Sequence, residues 1–253
     1  DLAALGIDWD GEVVYQTARA AAHEAAIARL AERGLVYECT CTRREILEAP
    51  SAPHAPPGAY PGTCRDRSEA ERAAARATIA PRLPALRLRA PEAERAAAFD
   101  DLLLGRVTGA IDDMVLRRGD GAVAYNLAVV VGDAAMGVDQ VVRGDDLAPS
   151  TPRQILLQRL LGLPTPEYAH VPLVLGPTGA RLAKRDGAVT LADLAARGIG
   201  VAEVRARLAA SLGLADADEV ARAAEERESV TMQELLGRFV PDALPREPWV
   251  FRG

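Results

Sequence analysis

Apolar positions recur at helical spacing from about Thr17 to Arg33, with Ile27, Leu30 and Ala31 on one side and Gly34 as the stop. Val36 to Cys39 alternates as a short strand. Thr42 and Ser68, each followed three residues later by glutamate, predict capping boxes for a brief helix and for one reaching about Ile79. Between them "APSAPHAPPGAYPGTC" is too rich in proline and small residues for regular structure. "ALRLRA" (85–90) alternates as a strand, and "FDDLLLGRV" and "DMVLRR" read as further strands. The apolar runs 122–131 and 138–142 fit buried strands, with a helix left open for the first. Ser150-Thr151-Pro152 opens a helix that runs to Leu161 before Gly162, and "HVPLVLG" (170–176) predicts one more strand. From Leu191 the pattern is helical, with turns near Gly198, Gly213 and Glu228. Thr231-Met-Gln-Glu234 starts a last short helix before an extended tail. The alternation predicts an α/β fold with a small module in the cysteine segment and a helical C-terminal part.

Composition narrows the class. With 49% apolar residues in 253, the chain can build a substantial core. No apolar run approaches the roughly 20 residues that span a bilayer, and no signal-peptide pattern opens the chain, so no membrane association is expected. A net charge of −6 argues against a general nucleic-acid coat protein, while arginine clusters such as Arg43-Arg44, Arg65 with Arg67, and Arg117-Arg118 leave room for local basic surface.

Two features carry chemistry. All three cysteines, Cys39, Cys41 and Cys64, lie within one segment, which fits a reducing cytoplasm rather than a secreted disulfide scaffold. A single residue between the first two is not the redox C-x-x-C spacing. A structural zinc takes four ligands, usually sulfur or nitrogen, and by ordinary ligand preference His54 is the fourth candidate. The second feature is Lys184, the only lysine among 30 basic residues. A chain that uses arginine wherever charge alone suffices retains lysine where a compact, flexible point charge is wanted. Its setting, "RLAKRDGA", suits a grip on polyphosphate.

That loop resembles the signature loop of class I aminoacyl-tRNA synthetases in its glutamyl form. "LGIDWDG…VYQTAR", "YPGTCR", "DGAVAYNLAVVVGD", "VVRGDDLAPSTPRQ" and "HVPLVLGPTGARLAKRDGA" resemble glutamyl-tRNA synthetase core motifs in the same order, over residues 2 to about 198. The resemblance implies a Rossmann-type core at 1–185 with its N-terminal part missing, a zinc module at about 36–67, and a helical extension at 186–253 without an anticodon-binding domain. It implies that Lys184 stabilises the ATP phosphates with Arg185 as helper, in a loop where Ala183 replaces the family's serine. It further implies that Tyr125 and Arg143 bind glutamate, with Asp145 and Asp146 near the pocket. One structural Zn²⁺ would be held by Cys39, Cys41, Tyr60 and Cys64 in the C-x-C…Y-x-x-x-C arrangement, and ATP would act with Mg²⁺.

The short C-terminal part and the ending "LPREPWVFRG" resemble the truncated glutamyl-Q branch of that family. Its expected substrates are glutamate, ATP and a tRNA(Asp) carrying queuosine, its expected state a monomer in the cytoplasm. The alternatives are a shortened glutamyl-tRNA synthetase charging tRNA(Glu) and a non-catalytic, zinc-containing tRNA-binding remnant. The family's H-x-G-H segment belongs before Asp1, so a protein made of these residues alone is expected not to activate glutamate.

Overall fold

Short polar signals set the helix starts. The side chains of Thr42, Ser68, Thr190 and Thr231 each accept the backbone N–H three residues on. The acidic side chain there reaches back to the cap, which satisfies two otherwise orphaned donors per helix. In the computed structural model, described over residues 1–49, 59–182, 190–225 and 230–251, the chain divides into two units. One is Val14–His170; the other joins Asp1–Val13 to Val171–Gly253.

In the unit Val14–His170, three helices cover the core: α2 (Ala20–Glu32), α5 (Tyr125–Met136) and α6 (Thr151–Leu161). Antiparallel strands β1 (Val36–Cys39), β2 (Ala85–Leu88) and β5 (Val115–Arg117) form one sheet in the order β1-β2-β5. A mixed sheet has the order β4-β3-β7-β6, from β3 (Ala96–Asp101), β4 (Gly105–Ala110), β6 (Gln140–Gly144) and β7 (Glu167–Val171). In it β3 runs antiparallel to β4 and parallel to β7. Ile27 and Leu30 of α2, Leu88, Leu116, Leu127 and Val130, and Leu156, Leu157 and Leu161 of α6 make the buried core. Two small helices, α3 (Arg43–Glu48) and α4 (Glu69–Ile79), flank the cysteine segment. Gly109 lets β4 meet the start of α6: a Cβ there would stand 2.8 Å from the Pro149 carbonyl oxygen.

The other unit holds α1 (Leu2–Leu5), β8 (Val174–Leu175), α7 (Leu191–Ala196), α8 (Val201–Ser211), α9 (Ala217–Glu225), α10 (Met232–Arg238) and β9 (Trp249–Val250). Arg205 of α8 donates to the Leu5 carbonyl at 3.0 Å, and Arg238 of α10 reaches Glu219 of α9 at 2.9 Å. No helix among the described residues is long and apolar enough to cross a membrane.

Four expectations are corrected. The run 122–131 is mostly helix α5, not a strand; with Leu127, Ala128 and Val130 buried and few polar residues on any side, it carries no helical period to read. "FDDLLLGRV" is a hairpin, β3 turning into β4, because Asp101 accepts the Leu103 and Leu104 N–H groups and bends the chain. "HVPLVLG" breaks into β7 and β8 at Pro172, which has no N–H for a ladder. In α2, Ala26 rather than Ala31 joins the buried side.

Candidate active site and metal centre

The cysteine cluster is built locally. Cys39 ends β1, Cys41 precedes the Thr42 cap, and Cys64 sits in a turn after Tyr60. That turn needs Gly62, at φ 86°, whose carbonyl accepts the Arg65 N–H at 2.8 Å. The three sulfurs lie within 4.8 Å of one another, with Cys41 and Cys64 at 3.5 Å. The Tyr60 hydroxyl is 3.4 Å from Cys39 Sγ and 4.0 Å from Cys41 Sγ, and its oxygen accepts the Cys64 N–H at 2.8 Å. Four donors at ordinary zinc bond lengths stand about 3.5–3.8 Å apart in a tetrahedron, so these residues fit a zinc. A hydrogen bond with Cys39 pulls the Cys64 thiol down to about 4, while that same bond and burial push Cys39 up. Burial likewise raises Cys41 and Tyr60.

Two adjacent carboxylates anchor this module. Asp112 accepts the Tyr60 N–H at 3.0 Å and Arg153 of α6 at 2.7 Å. Asp113, only 1% exposed, accepts the Tyr37 hydroxyl at 2.6 Å, Arg65 at 2.6 and 2.7 Å, Arg95 at 2.9 Å and the Ala90 N–H at 3.1 Å. The Arg87 guanidinium lies 3.6 Å from the Tyr60 ring centroid. Arg65 and Arg67 therefore serve the module itself, the latter by donating to Thr40, whereas Arg43 and Arg44 are exposed. Beside the cluster opens a cavity of about 780 Å³ whose walls include Cys41, Tyr60, Arg43, Arg82, Arg118 and Arg153.

A second site gathers around Arg143 on β6. Its Nε donates to His170 Nε2 at 3.1 Å and its Nη2 to Thr151 Oγ1 at 2.8 Å. The guanidinium lies 5.4 Å from the Tyr168 ring centroid. Two of its five N–H groups are thereby used, leaving an end-on fork able to take a carboxylate bidentately. Tyr125 starts α5 and is 53% exposed, so its hydroxyl is available to a ligand. Burial raises the Tyr168 pKa, while a hydrogen bond from Gln158 and the Arg143 charge lower it. Asp133, two turns along α5 from Tyr125, is pushed up by burial and drawn down by Arg143. Asp145 and Asp146 open the turn after β6.

Lys184, Arg185, Ala183 and His54 lie outside the described residues. Sequence reasoning missed Asp101, Thr151, His170 and Asp133. His170 had no catalytic neighbour along the chain, and its partner Asp101 is reached only through the parallel pairing of β3 with β7, Asp101 opposite Tyr168.

Comparison with known proteins follows the same lines. A glutamyl-Q tRNA(Asp) synthetase of Nocardia farcinica is 59% identical over 99% of this chain and 75% of that protein. One from Symbiobacterium thermophilum is 45% identical over 98% and 77%. A crystal structure of a glutamate tRNA ligase from Elizabethkingia meningosepticum superposes with TM-score 0.72 at 22% identity, covering 99% of this chain and 55% of that one. The family described as "tRNA synthetases class I (E and Q), catalytic domain" matches residues 1–252, and this chain belongs to it.

Proposed function

We propose that the protein activates glutamate with ATP and transfers it to the queuosine base in the anticodon of tRNA(Asp). A glutamate α-carboxylate oxygen attacks the α-phosphorus of ATP; the bond to the β-phosphate oxygen breaks, and pyrophosphate leaves with Mg²⁺. A hydroxyl of the queuosine cyclopentene ring then attacks the activated carbonyl, losing its proton as AMP departs. Neither step needs a covalent enzyme intermediate, so positioning and charge neutralisation carry the catalysis. The observation that carries this reading is the Arg143 guanidinium, tethered on one edge by His170 and Thr151, its end-on donors taken by no other group among the described residues, together with the exposed Tyr125. Lys184, with Arg185, steadies the ATP phosphates.

In the metal centre, Cys39, Cys41, Cys64 and Tyr60 hold one zinc, which supplies cross-linking and no chemistry. A reducing cytoplasm keeps those thiols free to bind it. A catalytic core spans 1–185 with the metal module at about 36–67 inside it, and a helical extension spans 186–253. The arginine-lined cavity beside the metal module suits RNA phosphates, and binding there weakens as salt rises.

The test uses the full-length gene product. Glutamate-dependent pyrophosphate exchange without tRNA, followed by transfer to tRNA(Asp) that is lost when periodate cleaves the queuosine diol, is the expected result. Charging of tRNA(Glu) instead would overturn it.

A further inference from the structure

The buried pair Asp101–His170 takes no part in the bond changes above, yet its geometry bears on them. Both side chains are 0% exposed, and His170 Nδ1 lies 2.6 Å from Asp101 Oδ2. On the far side of the ring, Nε2 receives the Arg143 Nε–H at 3.1 Å, with Thr151 Oγ1, itself accepting from Arg143 Nη2, at 3.3 Å. An arginine keeps its protons, so Nε2 must be bare and Nδ1 must carry the ring proton, which it donates to Asp101. The other carboxylate oxygen, Oδ1, is held by three backbone N–H groups, those of Leu103 at 3.0 Å, Leu104 at 2.9 Å and His170 at 3.1 Å. Asp101 is therefore fixed in orientation, and through it the tautomer of His170.

We infer that Asp101 and His170 are positioning residues for glutamate binding: by locking the Nδ1–H tautomer, they make His170 an acceptor that sets the angle of the Arg143 fork. This rests on the reading of Arg143 as the carboxylate clamp. Replacing Asp101 by the isosteric Asn is the sharp perturbation. The three backbone donors keep the amide oxygen at the Oδ1 position, so the NH₂ group faces Nδ1. That nitrogen must then accept, the ring proton moves to Nε2, where Thr151 Oγ1 at 3.3 Å is the acceptor in reach, and the Arg143 Nε–H loses its own acceptor. The same logic underlies the tautomer effect of an aspartate-to-asparagine change in serine proteases.

Two measurements test this in the full-length protein. Long-range ¹H–¹⁵N spectra of the histidine-labelled wild type should show His170 protonated at Nδ1 and bare at Nε2; the opposite tautomer overturns the inference whatever the variant does. In Asp101→Asn the tautomer should invert, and KM for glutamate should rise about tenfold to a hundredfold, the loss expected for a hydrogen bond to a charged group. KM for ATP should stay within about threefold. A general loss of structure would move both constants, and an unchanged glutamate KM overturns the positioning role. Arg143→Ala separates the two claims: if it leaves glutamate KM unchanged the clamp reading fails, while the wild-type tautomer still judges the Asp101–His170 lock.

Discussion

Asp113→Ala should be among the most damaging single changes in the unit Val14–His170. Five bonds converge on this carboxylate, from the Tyr37 hydroxyl, Arg65 twice, Arg95 and the Ala90 N–H. Its partners differ in how they tolerate its loss. Arg65 and Arg95 retain 16% and 32% exposure, so both can turn toward water, and Arg65 keeps the Ala90 carbonyl at 2.9 Å. The Tyr37 hydroxyl and the Ala90 N–H cannot, because these residues are 2% and 0% exposed. Each orphaned buried donor costs about 1–3 kcal/mol, and the arginines, able to reach water, add little, so the two donors together set an expected loss of about 2–6 kcal/mol. At about 2–4 °C per kcal/mol for a unit of this size, the midpoint should fall by about 4–24 °C.

Far-UV circular dichroism with urea is the suitable assay, since both tryptophans, Trp9 and Trp249, lie outside this unit. The slope with urea should hold while the midpoint falls. Arg95→Ala, which leaves Asp113 its other partners, should lose under about 2 kcal/mol. A loss below about 1 kcal/mol for Asp113→Ala would show that Asp113 does not tie the cysteine module to the strands beneath it.

Two further outcomes can be checked directly. Tyr60→Phe should lower zinc affinity by about tenfold or more in chelator competition, whereas His54→Ala should leave both affinity and stoichiometry alone; retained tight zinc in Tyr60→Phe removes the phenol from the ligand set. Burial favours the neutral acid at Asp101, but the Leu104, His170 and Leu103 hydrogen bonds prevail and hold its pKa below the usual aspartate value. Its contribution to stability is thus complete above about pH 5 and disappears as pH falls through its folded value, so Asp101→Asn should lose stability near neutrality and show a shallower acid limb.

What the sequence disclosed was local. Capping boxes at Thr42, Ser68 and Thr231 appear where a side chain meets a backbone group three residues away. The cysteines and Tyr60 were legible for the same reason: one segment carries all four donors, and the structure gathers them. Elements whose identity depends on distant partners were not legible. Helix α5 is covered on several faces and shows no period, and the two-residue strand β9 exists only because β8 pairs with it. At the Arg143 site, Tyr125 and Arg143 came through motif resemblance. The Asp101–His170 contact joins positions 69 apart and follows from the sheet order alone.

The pairing of β9 with β8 also sets an order of events during synthesis. Val174 lies opposite Trp249 and Leu175 opposite Val250, in parallel. A chain emerging from the ribosome exposes β8 well before its partner, which follows about 75 residues later, several seconds at ordinary elongation rates. Trp249 and Phe251, with ring centroids 5.7 Å apart, arrive together with that strand. Until then, among the described residues, β8 is held only by its local pairing, Leu175 opposite Arg181 with the Leu182 N–H on the Val174 carbonyl, and a nascent chain stalled shortly before Trp249 would leave the other edge of β8 without its partner strand.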